Sequence, residues 1–142
     1  MARKLVTKLS NRECFTLTEK DTLKTASNKL QTHNVGVMPV LSEHDKSVIG
    51  IISERDLARY IYRDEFSSEL LVTKIMTTNI ISCNLNTSVT ELMEIISNHK
   101  IRHIPIIVEK KLLGIVSIGD VVNHIIEQYK DENQHLTDFI NK

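Results

Sequence analysis

The chain states one pattern twice, and that duplication limits its fold more than any local propensity. VGVMPV at residues 35–40 answers IRHIPI at 101–106, and GIISERDL at 50–57 answers GIVSIGDV at 114–121. Pro39 thereby pairs with Pro105, Gly50 with Gly114, Ser53 with Ser117 and Asp56 with Asp120. Upstream, Leu23, Ala26 and Leu30 answer Val89, Leu92 and Ile96, and His33 answers His99. The offset is 66 at the prolines and 64 at the glycines, so the slip falls between them, where a surface loop absorbs it. A unit of roughly 60 residues buries too little surface to be more than marginal alone. Two copies packed together remove that difficulty, and a duplicated pattern is the signature of such packing.

Composition narrows the function. With 41% hydrophobic and 25% charged residues the chain reads as a soluble globular protein. Eighteen basic residues balance eighteen acidic ones, without the basic excess of a nucleic-acid binder. Aromatics are only 4% with no Trp, too few for a base-stacking platform. No apolar run approaches the ~20 residues that span a bilayer. The basic N-terminus, MARKLVTKLSNRE, lacks a signal peptide's apolar centre. Cys14 and Cys83 form no Cys-x-x-Cys or Cys/His spacing and occupy unequal repeat positions, so buried, reduced thiols in a cytoplasmic protein are expected.

The periodicity predicts each copy as strand–helix–strand–strand–helix. CFTL at 14–17 is a short strand, and Leu23, Ala26 and Leu30 lie on one helical face. Val35–Leu41 and Ser47–Ile52 form a hairpin across the polar turn 42–46; Ser53 opens a helix to about Tyr62. RDEFSSE at 63–69 is the linker, and Leu70–Met76 a short helical turn. The second copy has a strand at Ile80–Cys83 and a helix capped by Ser88 with Val89, Leu92, Met93 and Ile96 in one stripe. A hairpin follows around Glu109–Lys110, then a last helix burying Val121, Val122, Ile125, Ile126 and Tyr129. The fold class is α+β: two small three-stranded sheets with helices on one face, packed by their sheets about a pseudo-twofold axis. Residues 1–69 hold the first repeat with its N-terminal segment and linker, 70–129 the second, and 130–142 a polar tail that extends the helix or meets a partner.

Gly-x-x-Ser-x-x-Asp carries the chemistry. As structure, Ser53 with Asp56, and Ser117 with Asp120, have the spacing of a helix N-cap with an acid in the first turn. As function, the same helix start offers free N–H groups and a positive dipole end to a phosphate, with the serine hydroxyl as a further donor. The carboxylate repels phosphate and instead suits the two hydroxyls of a ribose. Each repeat supplies basic groups its partner lacks: Arg55 stands where the second has Gly119, and Arg102 and His103 stand where the first has Gly36 and Val37. If the sheets pack together, one cleft combines Ser53, Arg55 and Asp56 with Arg102 and His103. Solvated strand residues are the plainer account of Arg102 and His103, and C-terminal dipole contacts of His33 and His99.

The doubled order of (I/V)-x-x-(I/M)-P-(V/I) and G-I-(I/V)-S-x-x-D resembles the cystathionine β-synthase (CBS) domain, tandem pairs of which are Bateman modules. KIMTTNIIS at 74–82 is similar to the stretch that opens such a repeat, and the likeness covers about residues 10–129. The resemblance implies a stand-alone regulatory pair that binds an adenosine compound (AMP, ADP, ATP or S-adenosylmethionine) between its repeats. It implies Asp56 and Asp120 as ribose ligands, Ser53 and Ser117 as phosphate or ribose contacts, and Arg102 and His103 at the phosphates. Thr77, Ile80 and Ile81 would line one adenine pocket; Phe15, Thr16, Val35 and Val37 the other, beside Gly36. Gly36 and Val37 at the basic positions, and the unusual opening SNRECFTL, weaken the Asp120 site relative to the Asp56 site.

No nucleophile–base pair, metal cluster or paired carboxylates with a chemical task stand out, so neither catalysis nor a metal is expected. The reading is an adenine-nucleotide sensor acting on an unidentified regulated protein, with no nucleic-acid or membrane partner. A ligand-free dimerisation module, an S-adenosylmethionine sensor, and a metal or redox sensor using Cys14, Cys83 and the histidines are the alternatives. Surplus apolar residues on the last helix of each repeat, Leu57, Tyr60 and Ile61 and then Ile125, Ile126 and Tyr129, predict a homodimer.

Overall fold

The computed structural model describes residues 5–10 and 12–140. After helix α1 (Leu5–Leu9), the first repeat runs β1 (Leu17–Thr18), α2 (Leu23–His33), β2 (Val37–Leu41), β3 (Val48–Ser53) and α3 (Glu54–Tyr62). A 3-10 turn at Val72–Lys74 leads to the second: α4 (Val89–His99), β4 (His103–Val108), β5 (Lys111–Ser117) and α5 (Ile118–Ile140).

Local chemistry sets these bounds. Thr22 caps α2 by accepting from the Thr25 N–H, and Ser88 caps α4 by accepting from the Glu91 N–H. Both helices end on a left-handed residue, Asn34 and its repeat mate Lys100, each at φ 53°. Asn tolerates that conformation, whereas lysine holds it at a cost. Glu109 and Lys110, at φ 50° and 68°, make the two-residue turn joining β4 to β5. Leu23, Ala26 and Leu30 of α2 are buried, as their spacing predicts.

In the first sheet β1 lies parallel to β2, Leu17 opposite Val40, and β2 pairs antiparallel with β3. The second sheet has two strands, β4 and β5, not the three expected. Ile80–Cys83 forms no strand: only Cys83 pairs, in a single parallel bridge with Ile106. Thr77 just upstream exchanges both backbone hydrogen bonds with Ile51 of β3, at 2.9 and 3.0 Å, which holds this segment across the first hairpin. The first strand is likewise only Leu17–Thr18 rather than 14–17.

The repeats interlock through their opening segments. Leu5, Val6 and Leu9 of α1 are buried in the second repeat's core with Leu92, Ile104, Ile106, Val116 and Val121. Val72 and Ile75 are buried in the first core with Leu17, Leu23, Met38 and Ile52. LVTKL at 5–9 and LVTKI at 71–75 are themselves repeat mates. Each passes over the hairpin glycine of the core it enters. A Cβ on Gly50 would lie 2.3 Å from Met76 Sδ, and one on Gly114 2.6 Å from the Leu9 carbonyl oxygen, so neither position accepts a side chain unmoved.

The last helix departs from expectation. It continues unbroken through the polar tail to Ile140, and it buries Val121 and His124. Val122, Ile125, Ile126 and Tyr129, expected inside, are exposed, as is Met93 of α4. Leu57 and Tyr60 reverse the other way: Leu57 is in the first core and Tyr60 packs against it, which leaves Ile61 as the exposed member of that set.

Candidate functional site

Two backbone bonds place the motif residues. The Glu54 N–H, first in α3, donates to the Gly36 carbonyl at 2.9 Å, and the Ile118 N–H, first in α5, donates to the Arg102 carbonyl at 2.8 Å. Each helix start is thus fixed beside the first residues of its own repeat's inner strand. Two clefts, of about 360 and 350 Å³, are each lined by residues of both repeats. Both lie at the lower end of the roughly 300–1,000 Å³ of small-molecule sites.

In the first cleft Ser53, Arg55 and Asp56 from the first repeat face Arg102 and His103 from the second. Thr77, Ile80 and Ile81 line the same cleft, with Gly36 and Val37 completing the wall. Every residue the sequence placed at this site is therefore brought together, across two repeats. Glu54, Asn79, Lys100 and Ile101 join them without having been expected. Three basic side chains besides His103, those of Arg55, Lys100 and Arg102, line it with two acidic ones, Glu54 and Asp56.

Ser53 and Asp56 form a complete capping box. The Ser53 N–H donates to Asp56 Oδ2 at 2.9 Å, and the Asp56 N–H donates to Ser53 Oγ at 3.1 Å. The plain structural role of the motif is therefore real. It engages one carboxylate oxygen; the other, Oδ1, lies 3.8 Å from Arg59 Nη1 on the same helix. Asp56 is buried, which strengthens any hydrogen bond that oxygen accepts.

The second cleft is built from the equivalent positions but differs in charge. Ser117 and Asp120 repeat the capping box at 2.9 and 3.1 Å. Phe15, Val35, Gly36 and Val37 line it, as does His103, which belongs to both clefts. Thr16 does not line it; its carbonyl accepts from Lys29 Nζ. Phe15 stacks on His33 at a centroid distance of 3.6 Å, so one face of the ring is already occupied. Arg12, Glu13, Cys14, Asn34 and Ile115 complete this wall. Arg12 Nη1 donates to both Asp120 oxygens, at 3.0 and 3.1 Å. The carboxylate that parallels Asp56 is thus held by a side chain of the chain itself, across 108 residues.

Titration separates the groups further. Burial pushes the His103 imidazole below its ordinary value, and Arg102 pushes the same way, while Asp120 and Glu54 pull it up. Burial raises the Cys14 thiol, with Arg12 opposing, so Cys14 is not an activated thiolate. Cys83 is raised to about 11 by burial. Among the described residues no group of three His, Cys, Asp or Glu is placed to hold a metal ion. No described helix is long and apolar enough to cross a membrane.

A family model for the CBS domain matches residues 6–63 and 72–127, which takes in both repeats and both clefts. The chain belongs to the CBS-domain family. CBS pairs are regulatory ligand-binding modules, and this chain carries one pair. A mitochondrial CBS domain-containing protein of Arabidopsis thaliana, CBSX3, is 35% identical over 127 residues, covering 87% of this chain; the chain spans 62% of that relative's length. The crystal structure of a CBS-domain-containing protein from Agrobacterium tumefaciens superposes with a TM-score of 0.75 at 32% identity, covering 84% of this chain and 94% of that one. The CBS domain pair of protein MJ0100, crystallised with 5′-methylthioadenosine and S-adenosyl-L-methionine, has a TM-score of 0.78 at 22% identity, covers 89% of this chain and 99% of that one, and shares the fold.

Proposed function

We propose that this CBS pair is an adenine-nucleotide sensor whose principal site is the first cleft, acting by binding rather than by catalysis. The observation that carries the reading is the assembly of Ser53, Arg55 and Asp56 at the α3 N-terminus opposite Arg102 and His103 of the other repeat. Asp56 accepts from the ribose hydroxyls through Oδ1, the oxygen its cap leaves over. Arg55, Lys100 and Arg102 take the phosphates together with the Ser53 hydroxyl and the helix start. Thr77, Ile80 and Ile81 cover the base.

S-adenosylmethionine, the ligand of the MJ0100 pair, is the competing adenosine compound. Its sulfonium is positive, and the surplus of cations in the first cleft disfavours it relative to ADP or ATP. The second cleft, with Asp120 held by Arg12, is the weaker site for a ribose. The module works as a cytoplasmic homodimer on a partner protein. α5 supports the dimer: Ile118, Val122, Ile125 and Tyr129 recur at three- and four-residue steps along it, Leu136 and Phe139 follow two turns further on, and all six are exposed. Such a seam fits a second copy of the helix.

Calorimetric titration with AMP, ADP, ATP and S-adenosylmethionine tests the reading. Micromolar binding of a nucleotide, about −8 kcal/mol, is expected, tighter than that of S-adenosylmethionine. A protein that binds none of the four at millimolar concentration contradicts it.

A further inference from the structure

His103 is the repeat mate of Val37, and both residues line both clefts. The pair therefore lies where the pseudo-twofold axis runs between the repeats. Symmetry puts equivalent atoms there, yet duplication has left a hydrocarbon on one side and a titratable ring on the other. We infer that His103 is a single proton-binding group shared by the two clefts, so that a phosphate-bearing ligand entering the first is coupled to proton uptake and to the charge felt in the second. The inference rests on the nucleotide reading of the first cleft and adds a route between the sites.

The groups around the ring give the coupling its sign. Glu54 of α3 and Arg102, just before β4, act on it from the first cleft, and Asp120 of α5 acts from the second, itself paired with Arg12. Arg55, Asp56 and Lys100 share the first cleft with it, and Glu13 the second. Gly36 flanks the imidazole: a Cβ built there would lie 3.6 Å from His103 Cε1, an ordinary contact. Burial holds the free ring below its ordinary value, so near neutral pH it is mostly uncharged. A di- or triphosphate in the first cleft sets several negative charges before the same ring and favours its protonated form. The liganded state then binds more protons than the free state, so phosphate affinity rises as pH falls through the window between the two His103 values. Adenosine brings no such charge. The imidazolium formed also faces Asp120 and competes with Arg12 for it, which carries the event into the second cleft.

Two measurements decide the matter. In calorimetry with ADP near pH 7, in buffers of different ionisation heat, the wild type is expected to take up a fraction of a proton more than His103→Gln. Its ADP affinity should gain about three- to tenfold over the variant between about pH 8 and pH 6, with no such gain for adenosine. The nucleotide's own phosphate titration is common to both proteins and cancels in the difference. His103→Val, which copies the repeat mate, serves as a second variant. Proton resonances of the imidazole give the His103 midpoint directly in the wild type: it should rise with ADP, and Asp120→Asn should lower it in the free protein. ADP binding with equal proton uptake in wild type and variants overturns the coupling alone. A midpoint unmoved by Asp120→Asn overturns the sharing between clefts. No ADP binding at millimolar concentration overturns the nucleotide reading, and the coupling with it.

Discussion

Asp56→Asn separates the two tasks the structure gives this carboxylate. Its Oδ2 accepts from the Ser53 N–H at 2.9 Å, while Oδ1 lies 3.8 Å from Arg59 Nη1, and Asp56 lines the first cleft. Asparagine keeps the shape and one acceptor. If the amide oxygen keeps the cap, the cleft side becomes an N–H donor where a ribose hydroxyl needs an acceptor. A hydrogen bond to a charged group contributes about 1.5–3 kcal/mol, so nucleotide affinity should fall roughly 10- to 100-fold. The folding cost is smaller, because the cap bond survives and the first-turn dipole effect, even for a buried carboxylate, is at most about 2 kcal/mol. Calorimetry with ADP and a thermal unfolding scan of both proteins read the two effects separately. Asp120→Asn is the matched control: it breaks the pair with Arg12 and, read near pH 8 where His103 carries little charge, should leave first-cleft affinity nearly unchanged. Equal ADP affinity in wild type and Asp56→Asn, or an equal loss in both variants, would refute the ribose role of Asp56.

Arg102→Ala should weaken ADP by about tenfold and leave adenosine unchanged, since only the phosphates need the charge; an equal loss for both would assign Arg102 to the fold or the base. Gly114→Ala should destabilise the protein by about 1–3 kcal/mol in denaturant unfolding, because the new methyl meets the Leu9 carbonyl oxygen at 2.6 Å. Gly50→Ala meets the flexible Met76 side chain instead, and adding Met76→Ala should restore part of its loss. Light scattering at micromolar concentration should give a dimer mass, and Ile125→Asp with Tyr129→Asp should give a monomer that still binds ADP; a wild-type monomer contradicts the exposed α5 seam as a self-association face.

The repeat made much of this architecture legible. Pro39 with Pro105, and Gly50 with Gly114, fall at matching hairpin positions because each copy folds by the same local rules. The first cleft was legible for the same reason: a motif at a helix start in one copy must face the strand start of the other. What escaped depends on partners distant in sequence. LVTKL at 5–9 repeats LVTKI at 71–75, a signal present in the chain but upstream of the proline and glycine landmarks. Ile80–Cys83 has strand composition, yet Thr77 spends its backbone bonds on Ile51 and leaves one bridge at Cys83. The α5 stripe has the period of a buried face, and periodicity alone does not say whether the chain itself or another molecule covers it. The hold of Arg12 on Asp120 is visible only in three dimensions. Lys100 could have been found as the repeat mate of Asn34, at the same left-handed helix end.

The central claim is that one adenine nucleotide sits between the repeats, ribose on Asp56 and phosphates toward Arg55 and Arg102. A crystal structure of the protein grown with ADP tests it most directly. The account predicts ligand density in the first cleft, with a ribose hydroxyl within hydrogen-bond distance of Asp56 Oδ1 and the phosphates at the start of α3. Density confined to the second cleft, or an ADP whose ribose lies away from Asp56, would contradict it.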